Sequence, residues 1–299
     1  MFATLLGSLP RPPLPPNAGD LELVEAAVRA QEAAGLEPIT DGGMDNGRSP
    51  LDRWLAMAGL TEVAAKQNVV GPLTAARGGD EQTILAAAEA LNADLRALAA
   101  AGCPLIEIHE PAAIEIGDDE AARRLFRDAH RLLLDGVDGT HLSLAIVGGN
   151  ADGAGIETLL SAPYASLAVD LIAGPDNWRL VVATPADRGI VCGVISPEPD
   201  SDDSVEVLLW AAAYAASTGG RGPARVGLAT AGSLAGLPWD IAAAKMQRLG
   251  EAARLADLPP DDLRRSIDPR AVDIRSAALG RVAPPGRRRL RHAERHRRD

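Results

Sequence analysis

The sequence predicts a single α/β domain, a (β/α)8 barrel of the TIM type spanning residues 1–280. Three observations carry that expectation. Eight short apolar runs recur along the chain, helical stretches with readable caps lie between them, and 299 residues suffice for one such barrel. Near-continuous apolar runs suit strands buried on both faces, as in parallel sheets.

In order, the first strand is expected at Thr4–Ser8. Asp20 then precedes a helix with Leu21, Val24 and Val28 on one face, stopped by Gly35. Strands follow at Glu37–Thr40 and Asn68–Gly71. Asp80 opens a long helix through Ala101, closed by Gly102, and the fourth strand is Leu105–His109. Asp118 and Asp119 begin a helix through Leu134 before the fifth strand, His141–Val147, and the sixth, Leu167–Leu171. Arg179–Ala183 suits either a further strand or a helical end. Ile190–Ile195 is the seventh strand, with a helix from Asp202 and Asp203 to Ala216. Arg225–Ala229 is the eighth, and Asp240 opens a helix that ends near Leu258, before Pro259-Pro260. Residues Asp261–Ile274 suit one more small helix, and 281–299 read as a disordered, Arg-rich tail.

Composition narrows the function classes. Mean hydropathy is near zero and 46% of residues are hydrophobic, as in an ordinary soluble domain. Net charge is −11, yet Gly286–Asp299 carries +5, leaving −16 on the rest. So acidic a body excludes broad nucleic-acid binding, which depends on neutralising phosphates. Cys103 and Cys192 are the only cysteines, and no secretory signal or run long enough to span a bilayer is evident. These features point to a cytoplasmic protein with a small-molecule substrate; they leave its oligomeric state open.

Chemistry in parallel α/β proteins is placed at the carboxyl ends of strands. Gly7-Ser8-Leu9-Pro10-Arg11 follows the first strand, and Asp41-Gly42-Gly43 the second. Gly7, Ser8 and Asp41 are therefore substrate-binding candidates. The fourth strand delivers His109 and Glu110, an imidazole, the side-chain type suited to proton transfer, beside a potential base or amine ligand. The fifth brings His141 and Ser143, then Gly148-Gly149-Asn150; the sixth brings Asp170, an acid inside an apolar run. Ser196 and Glu198 follow the seventh strand, and Trp239 opens the last helix.

Taken in order, Gly7–Pro10, Gly35–Gly42, Val70–Thr74, Ile106–Pro111, Thr140–Asn150, Ser196–Glu198 and the Trp239 helix resemble the catalytic barrel of cobalamin-independent methionine synthase, over about 85% of the chain. The resemblance implies a (β/α)8 fold and methyl transfer from methyltetrahydrofolate to the thiol of homocysteine, with zinc making the thiolate. In that family zinc is held by a His-x-Cys pair, a Glu and a second Cys. Here His141 and Ser143 fall on the first pair if Thr140-His141 sets the register, or Ala145 and Val147 if Gly149-Asn150 does. Asp170 stands at the Glu position and Thr230 or Ala231 at the second Cys. At most His141 and Asp170, with Ser143 or water, would form a thin metal site, so weak or no zinc binding is expected. His109 and Gly43 replace two acids that in the family hold the substrate's amino group. The sequence thus points to a methyl- or alkyltransferase barrel with a changed acceptor. Two alternatives stand beside it. One is a metal-independent barrel enzyme like the uroporphyrinogen decarboxylases, with Arg11, Arg48 and Arg53 near an anionic substrate; the other is a non-catalytic ligand-binding paralogue.

Overall fold

A computed structural model describes residues 1–44, 47–259 and 262–263. Seven strands form one sheet, β1 (Phe2–Thr4), β2 (Lys66–Val70), β3 (Leu105–His109), β4 (His141–Ile146), β5 (Ser166–Asp170), β6 (Gly189–Ile195) and β7 (Val226–Thr230). Its order is β1-β7-β6-β5-β4-β3-β2, and every neighbouring pair is parallel. The edge strands β1 and β2 are consecutive in the chain. The segment between them bridges both, Glu37 to Ala3 and Ile39 to Ala65, so the sheet curls until its edges lie one strand's width apart.

Three expected strands differ, the third by running over Lys66–Val70 rather than Asn68–Gly71. The first is Phe2–Thr4 rather than Thr4–Ser8, because only Phe2, Ala3 and Thr4 pair with β7. Residues 37–40 make isolated bridges rather than a strand. Pro38 sits at their centre without an N–H, which removes a ladder donor.

Helices cover the outer face: α1 (Asp20–Ala33), α2 (Pro50–Ala58), α3 (Pro72–Ala75), α4 (Glu81–Ala100), α5 (Glu120–Leu133), α6 (Ile156–Leu159), α7 (Trp178–Ala183), α8 (Val205–Ser217) and α9 (Trp239–Ala256). Local chemistry sets their starts. The Asp80 side chain accepts from Thr83 N, and Asp119 from Ala121 N and Ala122 N. Ser49 caps α2 with Pro50 at its first position. Arg179–Ala183 is the body of α7, which settles that segment as helical. The helix at Asp261–Ile274, Asp262 and Leu263 apart, and the tail at 281–299 lie outside the described residues. Among those described, no helix is long and apolar enough to cross a membrane.

The sheet carries two apolar cores. A large one joins the helices to its outer face through residues such as Leu95, Ile106, Ile108, Phe126 and Leu144. A small one, Leu6, Ala145, Ala168, Val191 and Ala229, lies apart on the inner face. Alternation along each strand separates the two sets, as Leu144 and Ala145 show. Methyl-sized side chains dominate the inner core, so it forms only a thin septum.

At Gly250, α9 crosses the end of α1 so closely that a Cβ would collide with the carbonyl oxygen of Ala34. Gly250→Ala is expected to lower stability by about 1–3 kcal/mol, the range typical of overpacking. An equilibrium urea titration reads this directly, and an unchanged midpoint would show the two helices free to part.

Candidate functional site

Glu107 and His109 stand two residues apart on β3 and so project from the same, inner face. His109 Nε2 lies 2.8 Å from Glu107 Oε1. The same oxygen accepts from Lys66 Nζ of β2 at 2.8 Å, and Lys66 also donates to Leu5 O at 2.8 Å. Lys66 and Glu107 are buried, whereas the His109 side chain keeps 14% exposure. Burial alone would push the Glu107 carboxyl up, but Lys66 and His109 outweigh it and hold it down to about 2. Burial pulls Lys66 below the usual lysine range, with Glu107 opposing.

An ionised Glu107 can only accept, so the shared proton sits on His109 Nε2. In the neutral ring Nδ1 is then the acceptor. A carboxylate that orients an imidazole and fixes its tautomer is the arrangement of a general base.

His109 opens on a cleft of about 180 Å³ at the carboxyl ends of the first strands, shared with Gly7, Ser8, Asp41, Gly43, Arg53 and Asn68. Gln31 clamps the approach to Asp41: its amide donates to Thr40 O at 2.7 Å, and Thr40 N donates to its oxygen at 2.9 Å. Asp41 Oδ2 accepts from Arg53 Nε at 2.8 Å and from the terminal guanidinium nitrogen at 2.6 Å. Its other oxygen accepts from Gly43 N at 2.9 Å. The Ser8 side chain occupies the space a Cβ on Gly43 would need, and Gly43 has φ +72°, so no acid fits there in this backbone.

Other expected site residues fall elsewhere. Glu110 is fully buried behind the sheet; its carboxylate accepts from Leu73 N at 3.0 Å, Thr74 N at 2.7 Å and the Thr74 hydroxyl. His130 Nε2 lies 3.3 Å away and joins it to Tyr164, whose hydroxyl is 2.5 Å from Nδ1. Glu110 thus holds the start of α3 to the rear of β3 and does not line the cleft. Asp170 is similarly committed, accepting from Gly148 N, Ile172 N and Ala173 N at 2.8–3.0 Å. Ser196 Oγ accepts from Glu198 N at 3.1 Å in a turn that leaves the Glu198 side chain exposed. Arg11 donates to the carbonyls of Pro15 and Pro16 outside the cleft.

His141 requires a correction. It is the first residue of β4, at the amino end of the sheet, whereas Asp170 ends β5. Ile146 pairs with Val169, so Asp170 is level with Val147. His141 is six residues lower, about 20 Å at strand rise. The two cannot share a metal. Ala145 and Val147, the pair given by the Gly149-Asn150 register, lie toward the carboxyl end of the same inner face. Ser143 lies below them in the lower half of the inner face.

The thiols do not help. Burial pushes Cys103 up to about 11 and Cys192 up to about 12, so both stay protonated. Among the described residues no three His, Cys, Asp or Glu are grouped to hold a metal ion. The donor set does not fit a zinc–thiolate centre.

Lys66, Glu107 and Asn68 were missed as site residues. The alternation Glu107-Ile108-His109 was the available signal for Glu107. Lys66 offered only its rarity, being one of two lysines in the chain.

No family model matches the chain. Among curated proteins, the 5-methyltetrahydropteroyltriglutamate–homocysteine methyltransferase of Rhodopseudomonas palustris (strain TIE-1) is 28% identical over 211 residues, covering 62% of this chain and 25% of that protein. Its namesake from Parvibaculum lavamentivorans is 28% identical over 177 residues, covering 54% and 23%. The B12-independent methionine synthase of Shewanella sp. W3-18-1, solved in complex with selenomethionine, superposes with TM-score 0.67 at 14% identity, over 85% of this chain and 96% of that one. The chain is thus similar in sequence to these methyltransferases over part of its length, and in fold to a B12-independent methionine synthase. A methyltransferase from Methanosarcina mazei shares the fold with TM-score 0.55 at 17% identity, over 78% and 85% of the two chains. The chain spans about a quarter of the length of the curated relatives it matches.

Two outcomes follow. The Glu107 ion pair stabilises fully above pH 4.5, the carboxyl's ordinary value, and loses that contribution as pH falls toward 2. Glu107→Gln should therefore flatten the acid limb of a stability–pH profile and, by stranding Lys66, cost about 3–5 kcal/mol at pH 7. Elemental analysis of protein purified without added metal should find zinc well below one equivalent; a stoichiometric content would mean that other residues supply a site.

Proposed function

We propose that this chain is a methyl- or alkyltransferase that acts on a small protic acceptor without a zinc-bound thiolate. The observation that carries the reading is the Lys66–Glu107–His109 relay at the base of the cleft. The curated relatives, whose name specifies methyl transfer from a folate to homocysteine, support the reaction class and methyltetrahydrofolate as donor. The fold reading that goes with it is a closed (β/α)8 barrel over residues 1–280, with residues 37–40 as the eighth stave between β1 and β2.

In this mechanism His109 Nδ1 takes the proton of an acceptor X–H. Glu107 stabilises the resulting imidazolium, and Lys66 keeps Glu107 ionised. X then displaces the methyl group from the donor nitrogen, and the proton returns to that nitrogen. General-base assistance of this kind contributes about 10²–10⁴-fold. Asp41 is already paired with Arg53, so it offers little unbalanced negative charge for an ammonium group. A neutral or carboxylate-bearing acceptor suits this charge balance better.

The test is transfer from 5-methyltetrahydrofolate to a panel of thiols, amines and hydroxy acids, with the products read by mass spectrometry. His109→Gln should lower kcat for the productive acceptor by at least about a hundredfold. Glu107→Gln should also displace the pH–rate profile, as expected of a group that positions the base. Equal turnover by His109→Gln would overturn the mechanism. Absence of transfer, together with no thermal stabilisation by folate, would leave the decarboxylase-like or non-catalytic reading.

A further inference from the structure

The inner face of the sheet also opens at its opposite, amino end, into a cavity of about 530 Å³. That size lies within the roughly 300–1,000 Å³ of small-molecule sites. Strand register explains the hollow. Asn68, Glu107, Ser143, Ser166 and Gly189 form one level across β2–β6, and their side chains shrink to nothing at Gly189. On the far side Gly227 has no side chain, and the ring of Phe2 lies over it. Above, the septum of Ala145, Ala168 and Val191 with Leu6 and Ala229 separates the hollow from the carboxyl end of the sheet.

Polar groups reach this space in a particular pattern. Ser143 lines it, is 1% exposed, and its hydroxyl has no hydrogen-bond partner. A buried hydroxyl left unpaired costs about 1–3 kcal/mol, which a ligand's polar end would relieve. Ser166 Oγ lies 2.8 Å from His141 Nε2 at the mouth. The charges balance: Lys66 is neutralised by Glu107, the exposed Asp187 and Arg225 of the lining are of opposite sign, and burial, opposed only in part by Glu107, lowers the His141 pKa and favours its neutral form. Phe2, Leu105, Ile190 and Val191 supply apolar walls.

We propose that this cavity is a second ligand site, distinct from the cleft at His109, for an uncharged, largely apolar small molecule with one hydroxyl or carbonyl end that pairs with Ser143. The apolar walls hold the body, and the absence of net charge selects against ions. A ligand seated there lies beside Glu107, which also meets Lys66 and His109.

The test uses the full chain and three probes of one shape: benzyl alcohol, toluene and benzoate, with binding followed by ligand-observed NMR titration. Benzyl alcohol should bind saturably and more tightly than either of the others. Ser143→Ala, which keeps the cavity's shape, should weaken benzyl alcohol about three- to tenfold and leave toluene unchanged, the fold-change of one net hydrogen bond. Val191→Phe, checked for native circular dichroism, should abolish binding by filling the space. Arg53→Ala, in the cleft at the other end, should leave binding as it was. No saturable binding by the wild type, a preference for benzoate, or binding that survives both Ser143→Ala and Val191→Phe would overturn the proposal.

Discussion

The inner face is organised by one buried ion pair, Lys66 on Glu107. Two desolvated charges are costly to place in a sheet interior, and they persist only when their remaining valences are met. Here Leu5 O takes a second proton of Lys66, and His109 shares the accepting oxygen of Glu107. The pair therefore ties the residue after β1 to β2 and β3, at the place where the sheet's two edges approach. It also orients the His109 imidazole that reaches the upper cleft. Removing either charge would disturb the curl of the sheet and the chemistry of the site together.

Small side chains are the other constraint. Alanine, glycine and serine hold most of the inner positions at mid-height of β4 to β7, so the septum is thin and space remains both above and below it. A barrel-like interior is usually plugged by layers of branched residues. Here polar side chains take part of that space. The outer face is the converse, with a broad aliphatic core and long helices whose capping is local and conventional.

Much of the fold could be read from the chain because its signals are local. Asp80 and Asp119 cap the helices they precede, and Leu105–His109 is a strand with the expected bounds. The segment 37–40 was harder, since its apolar pattern is strand-like while Pro38 denies it a ladder. The site was less legible for a topological reason. Which end of a strand a residue occupies depends on where pairing begins, and His141 sits at the wrong end for the role its neighbours in sequence suggested. Glu110 followed the family pattern, yet the parity of β3 turns Glu107 and His109 inward and leaves Glu110 to the turn behind the sheet. The partnership of Lys66 with Glu107 spans 41 positions and left no trace in either local sequence.

The rarity of lysine gives the chain an unusual surface. Its two lysines are both interior, Lys66 on Glu107 and Lys245 on Asp203, where Lys245 Nζ lies 2.5 Å from the carboxylate and pins the loop after β6 to α9. Every other side-chain cation that is permanently charged is a guanidinium. The folded exterior therefore presents no lysine amine to acylating reagents or to enzymes that conjugate at lysine. Such modification must wait for the sheet or the α9 contact to open, so the extent of amine labelling becomes a clock for unfolding.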